Sequence, residues 1–62
     1  MAKILVVDDS ALSRRVSRRI LEGAGHTVAD AADGLVALER YALDRPDLVL
    51  LDVTMAEMDG LE

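Results

Sequence analysis

Apolar residues in this chain follow two rhythms, short unbroken runs and spacings of three or four, which together predict strands alternating with helices. Ile4-Leu5-Val6-Val7 is such a run and predicts a first strand over residues 3–7. Asp8-Asp9-Ser10 closes it and opens a helix running to Glu22, with Ser10 as N-cap for the orphan amides of the next turn. Leu12, Val16 and Ile20 recur every four residues and Leu21 widens the stripe, so this face is expected on the sheet and the arginines in water. Glu22 follows Arg18 by four, the spacing of a weak helix-surface ion pair. Gly23-Ala24-Gly25 then stops the helix, since glycine takes the left-handed conformation of a C-cap without steric cost. A weakly hydrophobic second strand over residues 26–30 suits a sheet edge. Asp33-Gly34 opens a second helix with Ala37, Leu38, Tyr41 and Ala42 expected inward and Leu35 and Val36 off that stripe. Pro46 ends it, and Leu48-Val49-Leu50-Leu51 forms the third strand before a loop that begins at Asp52.

This βαβαβ order predicts an α/β fold whose parallel strands and right-handed crossovers bring all strand carboxyl ends to one edge. Ligands of such open sheets bind beyond that edge. Asp8, Asp9 and Asp52 follow the two most apolar strands and are all expected there. Like charges so placed repel unless a cation neutralises them, which predicts a divalent-metal site with a reactive carboxylate. Oxygen-only ligation with retained waters favours Mg²⁺.

Composition narrows the picture. At 62 residues the chain is at most one small domain, and a chain of that size buries only about 60% of the surface it exposes when unfolded. With 52% hydrophobic residues it is no disordered acidic tail, and with Tyr41 as its lone aromatic its core must be aliphatic. A net charge of −5 argues against direct nucleic-acid binding. Arg14, Arg15, Arg18 and Arg19 are the local exception, either a positive stripe facing a partner or an ordinary solvated face. The absence of cysteine fits a reducing compartment, and no apolar run approaches the roughly 20 residues of a membrane helix, so a cytoplasmic chain without membrane contact is expected. His26 has no partner at ligand spacing and reads as a turn or strand-start residue. Gly23-Ala24-Gly25 follows a helix instead of a strand and is no nucleotide loop.

Ile4-Leu5-Val6-Val7-Asp8-Asp9-Ser10 and Leu50-Leu51-Asp52-Val53-Thr54-Met55-Ala56-Glu57-Met58-Asp59-Gly60 resemble the receiver domain of bacterial response regulators. Ala32-Asp33-Gly34 and Arg45-Pro46-Asp47-Leu48 fall where that family's connecting segments would. The resemblance implies that Asp52 is the phosphoacceptor, taking a phosphoryl group from a histidine kinase or phosphotransfer protein. It further implies that Asp8, Asp9, Asp52 and the backbone carbonyl of Thr54 hold Mg²⁺, Asp9 directly and Asp8 partly through water. Ala56 stands where the family most often has proline, which frees φ but removes no ligand. The chain is thus expected to accept a phosphoryl group and not to be an enzyme.

Family receivers are about twice as long, near the usual size of one domain. Two of their residues, a Ser or Thr that contacts the phosphoryl group and a Lys that pairs with it, would lie beyond Glu62. The expectation is therefore the first half of a flavodoxin-like doubly wound sheet over residues 1–62, strand order 2-1-3, with impaired acyl-phosphate chemistry. An open third strand is a template for association, so a two-fold homodimer is expected, its third strands antiparallel at the seam. Two other functions stay in play. One is a self-associating half-domain with an idle acidic pocket. The other is an aspartate-nucleophile phosphohydrolase of the haloacid-dehalogenase type, disfavoured because that family wants an acid where Thr54 stands.

Overall fold

The computed structural model describes residues 1–51. They form β1 (Lys3–Val7), α1 (Ala11–Gly23), β2 (Thr27–Ala31), α2 (Gly34–Asp44) and β3 (Leu48–Leu51). The strands make one parallel sheet in the order β2-β1-β3, with β2 at an edge as its weak hydrophobicity implied. This is the first half of a flavodoxin-like fold.

Helix ends follow local chemistry. Ser10 Oγ accepts the Ser13 N–H at 3.2 Å and Asp33 Oδ1 accepts the Val36 N–H at 2.9 Å, each satisfying an amide that the helix leaves free. Past α1, Gly25 takes a φ of 98°, where a side chain would be strained. Past α2 the left-handed position falls to Arg45, with φ 50°, and its N–H reaches the Tyr41 carbonyl before Pro46 bars continuation.

Alternate residues of β1 serve opposite faces, as the pleat requires. Ile4 and Val6 pack with Val28, Ala2 and Leu21 of α1, while Leu5 and Val7 pack with Ala31, Ala29, Val36 and Ala37 of α2. The two helices thus cover opposite faces of β1 and β2.

Two packing expectations change. The Leu12, Val16 and Ile20 stripe stays exposed, 70% for Leu12 and 65% for Ile20, because α1 lies over β2 and β1 and seats Leu21 instead. Leu12 and Val16 overhang an open groove of about 510 Å³ towards Leu50 and Leu51. On α2 the inward residues are Val36 and Ala37, while Leu38 and Tyr41 are exposed, so the helix turns a different face to the sheet from the one expected. The third strand is open as expected: the four residues of β3 are all exposed, and among the described residues it pairs with β1 and packs under neither helix.

Candidate functional site

The carboxyl edge of the sheet carries Asp8, because the ladder ends one residue before it. Parallel register pairs Val7 with Ala31 on one side and with Leu51 on the other. The next residues in sequence are Asp8 after Val7 and Asp52 after Leu51. Asp52 and Thr54, together with the segment from Met55 to Gly60, lie outside the described residues.

Asp8 is the most constrained acid of the edge. Only 4% exposed, it is the one buried charged residue among those described. Its N–H extends the sheet by donating to the Ala31 carbonyl at 3.1 Å. Its Oδ1 accepts the Ser10 N–H at 2.9 Å, the Asx turn by which aspartate hydrogen-bonds the backbone two residues on. Its own carbonyl accepts Arg14 Nη1 at 2.8 Å. Burying a carboxylate is costly without such partners, and here they fix both its backbone and one side-chain oxygen. Asp9, by contrast, is exposed.

These residues fit a hard cation. Asp8 and Asp9 offer only oxygen donors at a shared strand end, and one of the acids is already oriented by the main chain. No cluster of three or more metal-ligating side chains occurs among the described residues, which hold two of the three expected acids.

The arginines divide into two kinds, and the expectation that all four face water fails for Arg14. It folds onto the Asp8 carbonyl. Arg18 bridges Glu22 at 3.0 Å, the anticipated pair, and also reaches Asp30 of β2 at 3.2 Å. The hydrogen bond to Glu22 is the main cause that raises the Arg18 pKa above its ordinary value, partly opposed by desolvation. Arg15 and Arg19 are exposed. Ser10 and Arg14 are the site residues that composition alone hides. Their signals are an Asp-x-Ser turn, and an arginine one helical turn past the N-cap, back over the strand end. His26 is structural, its Nδ1 accepting the Ala2 N–H at 3.0 Å.

The profile of the family described as "Response regulator receiver domain" matches residues 4–62. A response regulator MprA of Mycobacterium ulcerans is 53% identical over 60 residues, 97% of this chain and 26% of the relative. A chemotaxis protein CheY of Listeria monocytogenes is 44% identical over 63 residues, 100% of this chain and 53% of the relative. The chain belongs to the response regulator receiver domain family, a component of two-component systems. It spans about half the length of the CheY relative and about a quarter of that of MprA.

Proposed function

We propose that this chain is the phosphoacceptor module of a two-component phosphorelay, with Asp52 taking a phosphoryl group from the phosphohistidine of a histidine kinase or phosphotransfer protein. One observation carries the reading. The β1–β3 ladder ends at Val7 and Leu51, which Asp8 and Asp52 follow in the sequence, and Asp8 is held in place at its N–H, carbonyl and Oδ1.

In the transfer, an Asp52 carboxylate oxygen bonds to phosphorus as the phosphorus–nitrogen bond breaks. The imidazole leaves with the electron pair and takes a proton from solvent. Asp8, Asp9, Asp52 and the Thr54 carbonyl would be the residues to hold Mg²⁺. When bound, the ion supplies neutralisation of the phosphoryl oxygens. The chain is an acceptor and not a turnover enzyme. Its kinase-facing cations are Arg15 and Arg19, since Arg14 and Arg18 already have partners within the fold. The charge of −5 disfavours nucleic acid, and none of the described helices is long and apolar enough to cross a membrane. A chain without cysteine suits the reducing cytoplasm.

The test is labelling by a small acyl-phosphate donor in the presence of Mg²⁺, followed by intact mass. One phosphoryl group is expected on the wild type and none on Asp52→Asn. Label that survives this substitution rejects the assignment.

A second reading of the same chain, as a homodimer joined through β3, is favoured by the four exposed apolar residues of that strand. Among the described residues β3 pairs only with β1, and a two-fold axis would set two copies antiparallel along its other edge. Sedimentation at micromolar concentration should give a dimer, and Val49→Lys a monomer. A folded wild-type monomer rejects this arrangement.

A further inference from the structure

We infer that Arg14 is a positioning residue for the acidic edge: its guanidinium fixes the peptide unit between Asp8 and Asp9, and through it the presentation of both acids to a cation. The cation part of this inference rests on the Mg²⁺ reading above.

The Asp8 carbonyl and the Asp9 N–H belong to one planar unit, so a donor that holds that oxygen sets the direction in which the chain enters Asp9. Arg14 Nη1 is that donor, at 2.8 Å, and the contact is partly buried. Charge-assisted bonds of this kind are shorter and stronger than neutral ones, and they tolerate less wandering. The reach depends on the helix start. Ser10 caps α1 and its carbonyl accepts the Arg14 N–H at 2.9 Å, so Arg14 sits one turn in, above the strand end it grips. Asp8 itself is then closed on three sides, by Ala31 at its N–H, by Ser10 at Oδ1 and by Arg14 at its carbonyl. Arg14 touches neither carboxylate among the contacts of the described residues; it acts on the acids through their shared backbone.

Charge alone predicts the opposite sign. A guanidinium beside the acids repels an incoming cation, so its removal would tighten Mg²⁺ binding if Arg14 acted only as a charge. If it positions the acids, its removal weakens binding, as loss of supporting partners around metal ligands typically does by about 10–100-fold. Arg18 provides the control. It lies four residues on in the same helix, carries the same charge, and spends its contacts on Glu22 and Asp30.

The test compares the full chain with Arg14→Gln, Arg14→Lys and Arg18→Gln by Mg²⁺ calorimetry, thermal melting and amide exchange without metal. Arg14→Gln should weaken Mg²⁺ by about tenfold or more, with Arg14→Lys recovering part of the loss and Arg18→Gln near wild type. In metal-free protein, Arg14→Gln should speed exchange of the Ser10 N–H, which Asp8 Oδ1 holds, while the Thr27 amide at the start of β2, which donates to the Ala2 carbonyl at 2.9 Å, stays protected. Unchanged or tighter Mg²⁺ binding in Arg14→Gln overturns the inference, as does unchanged Ser10 exchange. A wild-type chain that binds no Mg²⁺ overturns the metal reading and its consequence here. The exchange result still decides the grip on the peptide unit, so the two failures are told apart.

Discussion

Strands β1 and β3 have nearly the same composition and very different surroundings. Ile4-Leu5-Val6-Val7 and Leu48-Val49-Leu50-Leu51 are both unbroken aliphatic runs, and each is followed by aspartate. Every residue of the first run is buried, with Leu5 at 1% exposure, whereas those of the second range from 38% at Val49 to 62% at Leu51. The reason is position in the sheet. β1 has a strand on each side and a helix over each face, while among the described residues β3 has one partner strand and neither helix above it. An apolar run therefore announces a strand, but its neighbours decide how much water it loses. The same contrast extends to the acids: Asp8 inherits the constraint of β1, and what β3 contributes to the site is its register.

The largest expected break in this comparison is Leu5→Ala. Removing a fully enclosed side chain costs about 2–5 kcal/mol, a large share of the stability of so small a fold, and thermal melting should show the loss of a cooperative transition. Val49, the register partner of Leu5, is the matched probe. Val49→Ala should cost about 1 kcal/mol or less, since its side chain already meets water. Equal costs at the two positions would mean that the faces of β3 are covered in solution.

A smaller effect is expected at the other end of β3. Asp47 accepts the Lys3 N–H at 2.9 Å through Oδ2 and returns its own N–H to the Lys3 carbonyl at 2.7 Å, and so seats the start of β3 on β1. Asp47→Ala removes the side-chain half, worth about 0.5–1.5 kcal/mol, and should speed amide exchange in β3 more than in β2. Uniform acceleration across the sheet would show that β3 opens only with the whole fold.

Arg18→Gln should do least. Its ion pairs are surface-exposed, so the loss should be about 0.2–1 kcal/mol and should shrink in salt. A larger, salt-resistant loss would give the Arg18 to Asp30 contact a structural role in holding α1 on β2.

The helix starts, and an acid at the end of β1, were legible in the sequence because their chemistry is local. Acids directly after apolar strands need only the parallel topology to meet at one edge, and the caps at Ser10 and Asp33 follow from hydrogen bonds within three residues. Helix faces were less legible. The four-residue recurrence of Leu12, Val16 and Ile20 defines an apolar stripe but not the element that covers it, and on α2 several apolar positions compete for the inward face. Arg14 was hidden for a related reason, since one arginine among four on a helix shows no mark of the carbonyl it will reach.

Residue order by itself determined the succession of strands and helices, their stops at Gly25 and Pro46, and an aspartate directly after each of the runs that form β1 and β3, because each depends on neighbours within a turn or a strand. Tertiary structure alone decided that Asp8 is buried and gripped by Arg14, that Val36 and Ala37 face the core, and that β3 stays open to water. Those outcomes turn on which elements stack over which, and a pattern of apolar positions specifies that a face must be covered without specifying by what.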